Sequence, residues 1–95
     1  PYWGYYYRIL RGQGGAARGG SYSYLAGDSM IGGFAVIASP AEYGASGVKT
    51  FMINHDGVVF EKDLGPKTSR LAADIQRFDP GEGWVLTGKS EIAVK

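Results

Sequence analysis

Few side chains in this sequence are of the types that carry out chemistry, and they are not grouped along the chain. His55 is the one histidine and stands beside Asp56, a pairing that can supply a general base. Both lie in Asn54-His55-Asp56-Gly57 between two apolar runs, where a hairpin turn explains their presence more simply. Ser46, in Gly44-Ala45-Ser46-Gly47, lacks the spacing of a nucleophile elbow. We therefore predict no catalytic residue and expect that the protein is not an enzyme.

Loop residues with oxygen ligands raise the question of a metal ion. Asp79-Pro80-Gly81-Glu82 could form part of a calcium site, but the EF-hand pattern is absent and turn formation also explains these residue types. The chain has no cysteine, which excludes thiolate metal sites. We predict no metal site and no cofactor, and we leave open whether a calcium ion binds near Asp79.

The charge and composition of the chain exclude several classes of partner. The net charge is +1, so no strong field attracts nucleic acid or anionic lipid. The segment 11–21, RGQGGAARGGS, contains two arginines, but no Gly-Lys-Ser/Thr follows its glycines as in a phosphate-binding loop. We expect this segment to be a mobile loop without an apolar anchor. No apolar run is long enough to cross a membrane, so we predict neither a nucleic-acid partner nor a membrane span.

A hairpin is the best-defined element that the sequence predicts. The strands Thr50–Asn54 and Val58–Lys62 are rich in β-branched and aromatic residues and flank an Asp-Gly pair. We expect Gly57 to adopt the positive φ that a tight turn needs, and Asp56 to tolerate the turn. Asp56 and Gly57 are therefore assigned as structural turn residues.

Two further strands are indicated by alternation. The first begins at about Tyr5 and places Tyr5, Tyr7 and Ile9 on one face and Tyr6, Arg8 and Leu10 on the other. The run 30–40, MIGGFAVIASP, alternates Phe34, Val36 and Ala38 with Ala35 and Ile37. Neither of its faces is polar, which is typical of a central strand covered on both sides.

One helical pattern follows the hairpin, at Lys67–Phe78. Thr68 or Ser69 could cap it, and its apolar stripe comprises Leu71, Ala72, Ile75 and Phe78. The end of the chain, Thr87–Lys95, is either an edge strand or a loose tail. The predicted fold class is α+β, with one globular domain over residues 1–95. Its architecture is an antiparallel meander of about four strands, with one helix in the C-terminal half packed on one face.

This architecture leaves one apolar sheet face without a cover, and a large exposed apolar patch normally marks an interface. The N-terminal aromatic residues are too dense, and too evenly divided between the two strand faces, to lie all in the core. Tyrosine and tryptophan are also enriched at contact hot spots. The predicted interface residues are Tyr2, Trp3, Tyr5, Tyr6, Tyr7, Phe34 and Val36.

Most of the chain resembles a known family. GYYYRIL, GGFAVIASPAEYG, TFMINHDGVVFEKDLGP and RFDP are similar to the C-terminal part of a family of uncharacterised bacterial envelope or secreted proteins, a domain of unknown function. The likeness covers about residues 4–84. It implies a location outside the cytoplasm (periplasm, cell surface or secreted), but it implies no activity.

A second resemblance is to the globular heads of type IV pilin-like subunits. It depends on Ala38-Ser39-Pro40, the loop from Tyr43 to Gly47, Thr50-Phe51 and Asp56-Gly57-Val58. It implies a pilin-head-like fold that packs against a long apolar helix. The chain lacks that N-terminal helix and begins at Pro1 rather than Met. It is therefore either a trimmed piece or part of a longer exported precursor.

Three functions follow, from different classes. The first is a non-catalytic structural module that packs on a partner helix, such as a separate apolar helical chain, or on copies of itself in a filament or envelope complex. The second is a ligand-binding domain whose aromatic N-terminus stacks on glycans. The third, which the missing triad spacing makes the weakest, is a small hydrolase.

Overall fold

The computed structural model describes residues 3–30 and 32–89 of the chain. Tyr2, one of the predicted interface residues, lies outside them, as does the predicted tail beyond residue 89. The described strands are β1 (Tyr5–Leu10), β2 (Gly12–Gln13), β3 (Tyr22–Ser23), β4 (Leu25–Ala26), β5 (Ser29–Met30), β6 (Ala35–Pro40), β7 (Lys49–Asn54), β8 (Val58–Asp63) and β9 (Val85–Lys89). The helix α1 spans Thr68–Ala73 and follows a 3₁₀ turn at Gly65–Lys67.

Within the described residues, the main sheet has five antiparallel strands in the order β1-β6-β7-β8-β9. The α+β class is therefore confirmed. The predicted meander had about four strands, and the fifth is β9, which pairs with β8 through a register shift at Val59/Phe60. The short pairs β2-β3 and β4-β5 form two separate ribbons. The likeness to a pilin head stays a prediction.

The central hairpin lies within one residue of its predicted bounds. The C=O of Asn54 accepts a hydrogen bond from the N–H of Gly57 at 2.8 Å, and Gly57 has a φ of 74°. The side chain of Asn54 also accepts a hydrogen bond from the N–H of Asp56, at 3.0 Å. This is a three-residue loop in which a glycine in the left-handed region closes the turn. Asp56 keeps a negative φ, so Gly57 alone supplies the left-handed residue.

The predicted helix Lys67–Phe78 is wrong in length, because α1 ends at Ala73. The guanidinium of Arg8 donates to the C=O of Ala72 at 2.7 Å and to that of Ile75 at 2.6 Å, so a side chain of β1 satisfies the helix end. Thr68 does not act as the predicted N-cap, since its hydroxyl donates back to Gly65 within the 3₁₀ turn.

Phe78, the last residue of the predicted helical stripe, lies in an extended segment. Its N–H donates to the C=O of Gly12 at 2.9 Å, and its C=O accepts from the N–H of Gly14 at 3.0 Å. The segment therefore runs beside β2, and the Phe78 ring enters the core. The same apolar spacing thus serves one helical turn and one extended stretch.

The hydrophobic core lies on the side of the sheet that faces α1. Leu10, Ile37 and Met52 from the sheet are buried there. They pack with Ala35 of β6 and with residues from the helix and the connecting segments, namely Ala17, Tyr24, Ala72 and Phe78.

The glycine-rich segment 11–21 is anchored, contrary to the expectation that it lacks an anchor. Ala17 is buried, and so is Gln13, whose amide donates to the C=O of Arg18 at 2.8 Å and to that of Gly20 at 2.7 Å. A Cβ on Gly14 would overlap the carboxylate of Asp79, so a larger residue at this position would have to displace that side chain. Whether the rest of the segment is mobile stays a prediction.

Candidate functional site

The sheet has a second side that faces away from α1, and we call it the outer face. Directly opposed residues of antiparallel strands share a face, so the register identifies its members. Ile9 is opposite Val36, Val36 is opposite Ile53, and Ile53 is opposite Val59. Four β-branched side chains therefore form one row across four neighbouring strands.

A second row of the outer face lies beside the first, one pleat along the strands. It contains Tyr7, Ala38, Phe51, Glu61 and Val85. The Oε1 of Glu61 accepts a hydrogen bond from the Thr87 hydroxyl at 2.7 Å. The polar part of the outer face thus lies toward β8 and β9, while its β1, β6 and β7 part is apolar.

The apolar side chains of the outer face remain accessible. Ile9 is 60% exposed and Val85 is 62% exposed, while Val36, Ile53 and Val59 are half-buried by their neighbours in the sheet. None of these five belongs to the core cluster of the described residues. The described segments that cover the sheet lie on the core side, and the apolar rows face outward.

One end of the outer face is closed by the loop between β6 and β7. The hydroxyl of Tyr43 donates to Asp63 at 2.7 Å, and the ring of Tyr5 lies 6.2 Å from that of Phe51. The hydrogen bond from Tyr43, supported by the N–H of Gly65, lowers the pKa of the Asp63 carboxyl. The same bond raises the pKa of Tyr43. This end is therefore a polar clasp, and the accessible apolar surface begins beyond it.

The predicted interface residues divide between the two sides of the sheet. Tyr5, Tyr7 and Val36 lie on the outer face, and Phe34 precedes β6 with the same parity. Trp3 lies before β1 and is 82% exposed. Tyr6, however, is opposite Ser39 on the helix side, where it lines a small cavity. The structure therefore separates Tyr6 from the outer-face residues that the sequence grouped it with.

Sequence reasoning missed the row partners of Val36 as site residues. Ile9 was assigned a strand face and Ile53 lay within a predicted strand, but neither was named as part of a surface. Alternation within a strand gives a face, whereas joining faces requires the pairing of β1 with β6 and of β6 with β7. Only the hairpin offered a local indication, because its turn places Ile53 opposite Val59.

The residues considered for chemistry, His55, Ser46 and Asp79, each make structural contacts of their own. The Nδ1 of His55 lies 3.3 Å from the backbone nitrogen of Phe34, and its ring packs edge-on against Tyr24. The hydroxyl of Ser46 accepts from the N–H of Glu42 at 3.0 Å. The carboxylate of Asp79 accepts from the N–H of Ala16 at 2.9 Å. Among the described residues, no three metal-ligating side chains cluster. Catalytic function and calcium binding stay untested predictions.

Tyr24 is the titratable group that the fold perturbs most clearly. Its phenol is fully buried, and its hydroxyl donates to the side-chain oxygen of Gln13 at 3.0 Å. Burial raises the pKa of Tyr24 to about 12, and the neighbouring Tyr22 and Asp56 add to the rise. The buried Gln13–Tyr24 pair fixes the glycine-rich segment against the core, which is a structural role.

In the part of the chain that the structure describes, no helix is both long and apolar enough to cross a membrane. The model of the family described as "Protein of unknown function (DUF2950)" matches residues 1–86, and the chain belongs to that family. This confirms the resemblance to an uncharacterised domain family. No curated protein and no solved structure matches the chain at a significant level.

Proposed function

We propose that this member of the DUF2950 family is a non-catalytic assembly module that acts outside the cytoplasm and binds a partner protein on its outer face. The occupant we propose is an apolar helix from another chain or another segment of the same protein, in the manner of a pilin head. The observation that carries the proposal is the apolar row of Ile9, Val36, Ile53 and Val59, which faces away from the core and belongs to no core cluster of the described residues.

The size of the outer face favours a tightly packed segment. Strands about 4.8 Å apart and two rows of side chains give an apolar area on the order of 400 Å². That is in the range of the largest apolar patch on a typical soluble protein, which is often functional. Burial of this area contributes on the order of 10 kcal/mol, before the cost of ordering the partner.

The same area argues for a helix over a second copy of the sheet. Two copies packed face to face would bury about 800 Å² in total, which is below the roughly 1,200–2,000 Å² of stable complexes. A helix of about 14 residues is about 21 Å long and spans a row of four strands. A helix joined to a larger partner, or tethered in the same chain, gains further contacts or a high effective concentration.

The side chains of the row suit such a helix. The β-branched residues Ile9, Val36, Ile53 and Val59 form a stiff, shallow surface into which leucine or alanine side chains can pack. The clasp of Tyr43 and Asp63 borders the apolar surface at one end, and the Lys49–Glu61 ion pair, 3.6 Å long, lies next to it and reaches into the second row. Polar groups at that border would stop the helix from sliding past it.

Site-specific photocrosslinking in cells that produce the full-length protein tests this proposal. One photoreactive residue replaces Ile9, which is 60% exposed on the outer face. The control replaces Leu71, which is 40% exposed on α1 at the other side of the sheet. We expect position 9 to crosslink to an apolar helical segment, identified by mass spectrometry, and position 71 not to do so.

The outcomes of this experiment separate the alternatives. Equal crosslinking from both positions, or none from position 9, would contradict the proposal. Crosslinks between position 9 of two copies would show that the outer face binds a second copy of the chain and not a helix.

A second candidate is glycan binding, which is favoured by the exposure of Trp3 and Tyr6 at the N-terminal end of the sheet. Solvent-exposed aromatic rings can stack on sugars. Binding to a glycan array that Trp3→Ala abolishes would support this function. The outer-face substitution Ile9→Thr should leave glycan binding unchanged, because Ile9 lies near the other end of β1.

A further inference from the structure

Arg8 carries a charge that no acidic side chain among the described residues balances. It is half-buried, and its Nη2 donates both hydrogen bonds to the carbonyls of Ala72 and Ile75 at the end of α1. Among the described residues, Lys49 and Glu61 form the ion pair of the fold, and Arg8 takes part in none. The two carbonyl bonds fix the guanidinium in place and leave its Nη1 and Nε without a described acceptor.

A second arginine lies beside Arg8 at a cavity along the free edge of β1. Arg8, Ile9, Arg11 and Gln76 line this cavity, whose volume is about 260 Å³, and no acidic residue contributes to the lining. Arg11 is exposed, and no described residue accepts a hydrogen bond from its guanidinium. The Nε2 of Gln76 donates to the C=O of Ala73 at 3.2 Å, which holds its amide at the rim.

The backbone of β1 supplies another donor at the same place. The N–H of Ala41 donates to the C=O of Gly4, so even-numbered residues of β1 are hydrogen-bonded to β6 in the antiparallel register. The N–H and C=O of Ile9 therefore point away from the sheet, toward the free edge where the cavity lies. No described residue bonds to that N–H.

We propose that this cavity is a binding site for an oxyanion, either a phosphate group or a carboxylate. The guanidinium of Arg11 can donate two parallel N–H bonds that match the oxygen atoms of both anions, whereas Arg8, whose Nη2 is already bonded to the helix end, adds its positive charge and a single N–H bond. Arg8 is held by the helix end and needs little reorganisation, while Arg11 closes over the anion from solvent. The volume suits one anionic group with a few attached atoms. The site lies on the β1 edge and shares only Ile9 with the rows of the outer face, so it goes beyond the proposed assembly function.

Titration of the ¹⁵N-labelled chain, followed by NMR, tests the site with two probes. Inorganic phosphate represents the phosphate source, and N-acetylglycine represents a peptide carboxylate. We expect saturable shifts at residues 8–11 and 76 with at least one probe, and weaker binding as sodium chloride is raised. The probe that binds more tightly identifies the source of the anion.

Two substitutions decide whether the shifts come from this site. Arg11→Gln should weaken binding about tenfold or more, because it removes a charged donor without touching the core. Arg70→Gln removes an exposed arginine of α1 that does not line the cavity and should leave affinity unchanged. Absence of saturable shifts with both probes, unchanged affinity in Arg11→Gln, or equal loss in both variants would overturn the proposal. Arg8→Lys keeps the charge but loses the two bonds that fix it at the helix end, so weaker binding in a folded variant supports the proposal and unchanged affinity opposes it.

Discussion

Aspartate substitutions at two adjacent positions of β6 should have very different effects on the isolated chain. Ile37 lies on the core side and is 3% exposed, whereas Val36 lies on the outer face and is only half-buried. Ile37→Asp and Val36→Asp introduce the same charge one residue apart in the same strand. The pair therefore measures which side of the sheet the chain itself closes.

The burial of each residue sets the expected magnitude. Ile37→Asp loses about 2–3 kcal/mol of apolar burial, and a buried carboxylate without a partner adds several kcal/mol. A 95-residue domain has a free energy of unfolding of roughly 5–14 kcal/mol, so this variant should be largely unfolded. Val36→Asp loses part of one side chain's burial and some β propensity, which together cost about 1–2 kcal/mol.

Urea unfolding, followed by the fluorescence of Trp84 and by circular dichroism, gives both values. Trp84 packs against the core and reports its disruption. Val36→Thr is the matched control, because it preserves the shape and the β propensity without a charge. If Val36→Asp lost as much stability as Ile37→Asp, the outer face would be closed by the chain itself. If Ile37→Asp cost less than about 1 kcal/mol, our assignment of the core side would be refuted.

Further substitutions probe the turn, the buried Tyr24 and the hydrogen-bonded pair of Tyr43 and Asp63. Gly57→Val forces a β-branched residue into a φ of 74° and should destabilise the domain by roughly 1–3 kcal/mol, while Gly15→Val, where no atom lies within 4 Å of the added Cβ, should cost much less; equal melting temperatures would contradict the turn assignment. Burial raises the pKa of Tyr24 to about 12 from 10.0, so its contribution to stability is complete below pH 10 and is lost as the pH rises to about 12. Tyr24→Phe should flatten the alkaline limb of a plot of unfolding free energy against pH, and an unchanged limb would refute this. The pKa of Asp63 is lowered, so the contribution of its carboxylate to folding stability is present above pH 3.8 and is lost as the pH falls further. Asp63→Asn and Tyr43→Phe should each reduce the acid dependence of the melting temperature, and neither should do so if the clasp is absent in solution.

Features that depend on neighbouring residues could be predicted from the sequence. Alternation within 5–10 and 35–40 is a property of the extended backbone, so the faces of β1 and β6 followed from residue order alone. The Asp-Gly pair limited the hairpin to a short loop, because Gly57 can adopt a positive φ without steric cost. The excess of apolar strand faces over helix indicated a sheet that one helix could not cover, which was the basis for expecting an interface.

Tertiary contacts decided the end of the helix and the position of the glycine-rich segment. The helix pattern continued to Phe78, but α1 ends at Ala73, where Arg8, 64 residues before Ala72, bonds to the last carbonyls. Local propensity contains no information about a partner so distant in sequence. The same holds for Gln13, whose buried amide organises the following glycines through hydrogen bonds and through the hydroxyl of Tyr24.

Strand pairing also determined which residues form the candidate surfaces. The sequence determined which residues share a face within each strand, since side chains alternate with a period of two. The tertiary structure decided that Ile9, Val36 and Ile53 stand side by side, because that depends on the register of β1 with β6 and of β6 with β7. It likewise placed Tyr6 on the opposite side and brought Gln76 next to Arg8 and Arg11. Such alignments depend on contacts between distant segments, which residue order alone does not specify.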